Sequence, residues 1–336
     1  MAHEHIKIYA DTIPFNMGKS KYDALEPWNP NFSVFDSLET LFEPSKRRKD
    51  MLGANTVTRI FQIPTGHVSD KFDDEPYIVP FIAKGSEKSV LVVPGGAYYD
   101  VSLDNEGYPT GEFLMENGIT AFVLKYRVWP YTYPSAMLDC RRAFCYIKHN
   151  AKKFGIDPGK ISVLGFSAGG NLAATTAYRF RDFQRIQGYT PDEVDFETAD
   201  FASLALLYPE TLADRFLLSM QFGERIHTDE EYYKKIYSEM YIPQYVKKDS
   251  PPLFLSDCID DGTVSPMNVL EMAVAAEKAG ASYEVHMFRE GGHGYGVREE
   301  DVPPMYGHPA FNMSGTREWK RLYLTWLHKT LEKREG

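Results

Sequence analysis

Six short apolar runs punctuate the chain from about residue 88: Ser89–Val93, Ile119–Lys125, Ile161–Gly165, Ser203–Tyr208, Leu253–Ser256 and Tyr283–Phe288. Each lacks strict alternation of apolar with polar, as expected for strands covered on both faces. Between them the apolar spacing changes to three and four residues. Ala136, Cys140, Phe144, Ile147, Ala151 and Phe154 fall on one face of a helix predicted over Ser135–Phe154, stopped by Gly155. A helix over Pro266–Ala279 opens with proline and closes at Gly280. A last one over Thr316–Lys333 stacks Trp319, Leu322, Tyr323 and Trp326, aromatics expected to pack into the core. Strand and helix in alternation predict an α/β fold with a mostly parallel central sheet flanked by helices.

Two stretches break the rhythm. Residues 1–75 scatter Pro, Asn and Asp without a repeat and read as an N-terminal extension packed on the core; residues 76–336 then form one catalytic domain. Residues 209–250, rich in Tyr, Lys and Glu, read as a helical insertion between two strands. In open α/β sheets ligands bind at the carboxyl ends of the strands, and the insertion is expected there, near the site.

Composition narrows the partners. The 336 residues are 43% hydrophobic and 25% charged, ample for a sizeable core. A formal net charge of -10 argues against nucleic acid, and Lys46–Lys49, the basic run Lys-Arg-Arg-Lys, reads as a solvated turn. No stretch approaches the roughly 20 apolar residues that cross a bilayer, so no membrane partner is expected. Residues 1–11 lack the apolar core of a secretory signal. The three cysteines, Cys140, Cys145 and Cys258, are an odd and sparse set that suits a reducing, cytoplasmic setting. A small-molecule partner is left by these exclusions, and a homo-oligomer is compatible with the sequence.

Gly165-Phe166-Ser167-Ala168-Gly169 follows a predicted strand and precedes a helix-like Asn171–Phe180. A G-x-S-x-G pentapeptide arises by chance in roughly one chain in ten of this length, so its setting carries the weight. A serine at a sharp strand-to-helix turn needs small neighbours, supplied by Ala168, Gly169 and Gly170. A hydroxyl also needs a base. Among nine histidines, His293 sits in the glycine-rich loop Glu290–Gly296 just past a strand, an accessible place from which to reach a cleft. His286 lies within that strand and reads as structural. The acid should fall between serine and histidine in the chain. Asp260 and Asp261 both qualify; Asp261 is preferred because a valine follows three residues later, as in many related hydrolases, leaving Asp260 to cap the loop. The turn Val92–Tyr98 offers exposed peptide N–H groups from Gly96 and Ala97, joined by Ala168 beside the nucleophile, as an oxyanion hole. No metal spacing is recognisable and the chemistry needs no cofactor.

Together these segments resemble the α/β-hydrolase superfamily, in particular its carbohydrate-esterase branch of acetyl-xylan-esterase-like and feruloyl-esterase-like proteins, related to the hormone-sensitive-lipase group. The carriers are Val93–Tyr98, Ala121–Arg127, Tyr133-Pro134 with Asp139 and Arg141–Ala143, Leu164–Asn171, Ser250–Pro252, Asp260-Asp261 and Gly291–Gly294, within residues 75 to 330. Pro94 and Asn171 depart from relatives that carry histidine there, and Ser265 replaces a common proline. The resemblance implies a serine esterase that removes a short acyl group, acetyl above all, from a carbohydrate ester. A general short-chain carboxylesterase or lipase, a prolyl-oligopeptidase-like peptidase and a binding protein that lost its chemistry are the rivals. Tyr98, Tyr99, Trp129, Tyr131 and Tyr133 lie near the expected site, to stack on a sugar or to pack the core.

Overall fold

Strands β3 (Ser89–Val93), β4 (Thr120–Lys125), β5 (Ile161–Phe166), β6 (Leu204–Leu207) and β7 (Leu253–Cys258) are buried along their whole length, which explains why their sequences do not alternate. The computed structural model describes residues 4–10, 12–16, 75–129, 131–297 and 315–332. Lys46–Lys49 and most of the N-terminal extension lie outside the described residues.

The sheet begins earlier than the apolar runs suggest. Strand β1 (Ile6–Lys7) pairs antiparallel with β2 (Tyr77–Phe81), and β2 pairs antiparallel with β4. Pro80 hid β2 in the sequence, since proline cannot donate to a ladder on both sides. It is tolerated because β1 reaches only Tyr77 and Ile78. With β8 (Tyr283–Phe288) the order is β1-β2-β4-β3-β5-β6-β7-β8, parallel from β4 to β8. The chain leaves β3 for β4 on one side, then returns to β5 on the other. That reversal puts a crevice beyond the carboxyl ends of β3 and β5, the usual ligand position in such sheets.

Helix α1 (Tyr108–Glu116) was not legible, because Pro109 and Gly111 lower its propensity. Gly111 is needed there: a Cβ would come within 2.5 Å of the Phe81 ring. Helix α2 (Ser135–His149) ends sooner than the periodicity predicts, and α3 (Ala151–Phe154) continues it after a break. Asn150 makes the break by donating its side-chain amide to Tyr146 O at 2.9 Å, a local bond that competes with the helix. Helix α4 (Ser167–Arg179) starts four residues before the predicted Asn171 and packs on α2.

Between β6 and β7 the chain forms α5 (Arg215–Phe222), α6 (Arg225–Thr228) and α7 (Glu230–Met240). Helices α8 (Met267–Ala279) and α9 (Glu318–Glu332) close the fold. Trp319, Tyr323 and Trp326 of α9 are buried against Phe254 of β7 and Phe166 of β5. Among the described residues no helix is long and apolar enough to cross a membrane.

Candidate active site

Val93 of β3 and Gly165 of β5 are register partners, so the loops leaving the two strands emerge side by side. Ser167 caps β5 with φ of 50°, a left-handed conformation that costs a non-glycine residue on the order of 1–3 kcal/mol. Its small neighbours are a steric requirement. A Cβ on Gly169 would lie 2.2 Å from Val93 O, and one on Gly165 would lie 2.6 Å from Gly169 O. The turn therefore fits only against the β3 backbone.

The serine, the histidine and one of the two adjacent aspartates meet in a line. Ser167 Oγ is 2.8 Å from His293 Nε2, and His293 Nδ1 is 2.6 Å from Asp261 Oδ2. The other Asp261 oxygen accepts the N–H groups of Thr263 and Val264 at 2.8 and 2.9 Å, which fixes the carboxylate before the imidazole arrives. Asp260 points elsewhere and accepts the N–H groups of Gly291 and Gly292 at 3.2 and 2.9 Å. It thus clips the histidine loop to the β7 loop. Gly291, Gly292, Gly294 and Gly296 all have positive φ, so the loop follows a backbone path that non-glycine residues rarely adopt.

Charge bears on the histidine from several sides. Burial alone would lower the pKa of the His293 imidazole. Asp261 offsets this, helped by the more distant Asp257 and Glu106 carboxyls, and the group titrates above its ordinary 6.5. Asp257 is wholly buried at the end of β7. Burial, then the neighbouring Asp261 charge, raises its carboxyl well above the usual carboxylate range.

The loop after β3 is fastened at several points. Pro94 O accepts the Tyr126 O–H at 2.9 Å, Gly95 N–H donates to Glu106 at 2.6 Å, and Tyr98 O–H donates to Asn171 Oδ1 at 2.7 Å. Gly96, Ala97 and Tyr98 all have positive φ (125°, 56° and 58°). A Cβ on Gly96 would lie 2.1 Å from Asp100 O, so that position takes only glycine. With Gly95 committed to Glu106, Gly96 and Ala97 carry the next N–H groups along the loop. Ala168 adds one from the first turn of α4, where peptide N–H groups lack helical partners.

Of the five aromatics near the site, Tyr98, Tyr99 and Tyr131 are buried, and Tyr133 packs against Phe180 and Phe222. Trp129 is 37% exposed and stacks on Tyr99. His286 lies 2.8 Å from Glu284 within the edge strand, a structural position. Sequence reasoning missed Glu106, Tyr208 and Asp257. Glu106 follows Asp104 and Asn105, Asp257 precedes Asp260 and Asp261, and Tyr208 ends an apolar run, and none of these settings names a partner.

A strained serine at a strand-to-helix turn, aligned with histidine and aspartate at the carboxyl ends of a mostly parallel sheet, defines an α/β-hydrolase. The chain belongs to the BD-FAE family, whose model matches residues 78–274, more than half its length. It is 24% identical over 226 residues to the acetylxylan esterase of Xylanibacter ruminicola, covering 67% of this chain and 44% of that protein. The arylesterase of Saccharolobus solfataricus is 27% identical over 220 residues, covering 63% and 70%. The crystal structure of an acetyl ester-xyloside bifunctional hydrolase from Caldicellulosiruptor lactoaceticus superposes with a TM-score of 0.64 at 30% identity. That match covers 76% of this chain and 88% of the other. The chain spans less than half the length of the acetylxylan esterase it matches.

Proposed function

We propose that the protein is a serine esterase that removes a short acyl group, acetyl above all, from a carbohydrate ester. The observation that carries this is the unbroken line Ser167–His293–Asp261 beside the loop of Gly96 and Ala97. His293 takes the Ser167 proton as Oγ attacks the ester carbonyl, and Asp261 holds the imidazole and favours the imidazolium. The carbonyl oxygen gains negative charge facing the N–H groups of Gly96, Ala97 and Ala168. One such donor is worth about 2.7–4 kcal/mol in the transition state. The imidazolium then protonates the departing alcohol, leaving an acyl-serine, which water hydrolyses with the same histidine as base.

The acetyl and carbohydrate parts rest on relatives named for acetylxylan and acetyl-xyloside substrates. A general short-chain carboxylesterase is the second reading, favoured by the arylesterase relative. Three free, buried thiols support a reducing, cytoplasmic setting.

The test is hydrolysis of p-nitrophenyl esters from acetate to octanoate, beside acetate release from acetylated xylo- and manno-oligosaccharides. Preference for acetate together with sugar deacetylation is expected. A maximum at longer chains with sugars untouched selects the second reading. Retained turnover in Ser167→Ala overturns both.

A further inference from the structure

Glu106 lies on a single π-helical turn, Leu103–Gly107, and is 4% exposed. Such turns are rare and tend to mark functional places. The Glu106 side chain reaches two loops at once. Oε2 accepts the Gly95 N–H at 2.6 Å, and Oε1 accepts the Tyr208 O–H at 3.0 Å. Tyr208 Oη accepts the N–H of Gly296, in the histidine loop, at 3.1 Å. The Tyr208 ring stands edge-on to the His293 ring, with centroids 4.8 Å apart. Tyr208 itself has φ of 38°, a strained conformation for a tyrosine.

We propose that Glu106 is a positioning residue, a strut that ties the oxyanion loop to the histidine loop through Tyr208. The proposal rests on the esterase reading above. A buried carboxylate is costly unless donors meet its charge, and the donors here come from the loop that begins with Gly95 and from the strand end beside His293. Gly95 shows how close the strut runs to the nucleophile. A Cβ there would lie 2.8 Å from Ser167 Cβ and 3.0 Å from Glu106 Oε2. Holding the Gly95 N–H downward, Glu106 sets the direction in which the next peptides, Gly96 and Ala97, turn. Holding Tyr208, it limits how far the Gly296 end of the histidine loop can drift. The two halves of the site, carried on β3 and β8, are thereby kept at one spacing. A loss of about 1 Å in such alignment is enough to slow chemistry by 10²-fold.

The test compares Glu106→Gln, Tyr208→Phe and the double variant on p-nitrophenyl acetate, with rates counted per site titrated by a fluorophosphonate. Each single change is expected to lower kcat about tenfold or more, with KM within about twofold. The double variant should be no worse than about threefold below Glu106→Gln, because both changes cut one strut. Glu106→Gln removes a negative charge that favours the imidazolium, so its acidic limb in kcat/KM should move to lower pH. Tyr208→Phe should leave the limb in place. Unchanged kcat in both singles, or losses that multiply in the double, overturns the strut. Should Glu106→Gln not fold, Tyr208→Phe decides alone, since it leaves the Glu106–Gly95 bond intact: about a tenfold loss supports the strut and an unchanged kcat overturns it. A wild-type protein that neither reacts with the fluorophosphonate nor turns over ester sinks the esterase reading instead.

Discussion

Two pairs of a basic side chain with a carboxylate are built to opposite ends in this molecule. Arg127 and Asp139 are fully buried, with side chains 0% exposed. The guanidinium meets Asp139 through Nε at 2.8 Å and Nη2 at 2.7 Å, and Nη1 donates to Pro14 O at 2.6 Å. Its face lies over the Tyr131 ring, and Asp139 also accepts the Arg127 N–H and the Tyr9 O–H. Every direction is used, and nothing can enter. His293 and Asp261 are closed on one side only. Asp261 is saturated by Thr263, Val264 and the imidazole, whereas His293 keeps 11% of its side chain exposed and turns its second nitrogen to Ser167. One pair is satisfied outright. The other is closed except toward Ser167, which His293 Nε2 faces. Placing the basic side chain just past a strand end in the first case, and on a four-glycine loop in the second, produces that difference.

The comparison breaks most visibly at Asp261. Asp261→Asn should reduce kcat by about 10³–10⁴-fold while changing stability little, because the tautomer is lost and the shape is kept. Steady-state kinetics beside a urea melt measure both, and a loss below tenfold would remove Asp261 from the line. Asp139→Asn should do the reverse. It leaves a buried guanidinium without its counter-charge, which typically costs about 3–5 kcal/mol. The urea midpoint should fall accordingly, with kcat per folded molecule nearly unchanged. Replacing both partners, Arg127→Met with Asp139→Leu, should recover most of that stability, since well-packed apolar groups often match a buried pair. Failure to recover would mean that the pair also fixes the path of the chain near Pro14.

How much of this was legible depends on whether a feature is local. The five buried strands announce themselves by unbroken apolar runs, and Ser167 by a turn that only small residues permit. His293 is readable because glycines surround it. Asp261 is preferred to Asp260 in the sequence only by likeness to related hydrolases, and what distinguishes them in the fold, two loop N–H groups on each carboxylate pointing in different directions, is geometric. Strand β2 and helix α1 were hidden by Pro80, Pro109 and Gly111: Pro80 is tolerated because β1 stops short of it, Pro109 because it lies in the first helical turn, and Gly111 because the Phe81 ring packs against it. Asp139 sits between Leu138 and Cys140, and Glu106 follows Asp104 and Asn105, and neither setting names a partner. Only the fold shows that one faces an arginine 12 residues away and the other faces Gly95 and Tyr208.

Asp260 supplies a gentler contrast within a single dipeptide. Its carboxylate holds two loop N–H groups, but it is exposed, so water can replace what Asn cannot accept. A net loss of about 0.5–1.5 kcal/mol is expected, and Asp260→Asn should lower kcat by no more than about tenfold. A larger fall than in Asp261→Asn would exchange the two roles.

The smallest effect is also the most direct reading of the open pair. A base must be neutral to accept the Ser167 proton, so kcat/KM should fall as pH drops through the His293 midpoint. Burial pulls that midpoint down, and Asp261, Asp257 and Glu106 push it up by more, so the acidic limb should centre above 6.5. Asp260 is exposed and turned to the Gly291 and Gly292 N–H groups, so solvent screens its charge from the imidazole more than it screens the buried carboxyls. In Asp260→Asn the limb should therefore stay where it is even if kcat falls, since the loop loosens while the field on the imidazole remains. A pH–rate profile for the two proteins decides the matter. A wild-type limb at or below 6.5 would mean that desolvation prevails over the carboxylates, and a downward shift in Asp260→Asn would mean that clipping the loop and charging the imidazole are not separate tasks.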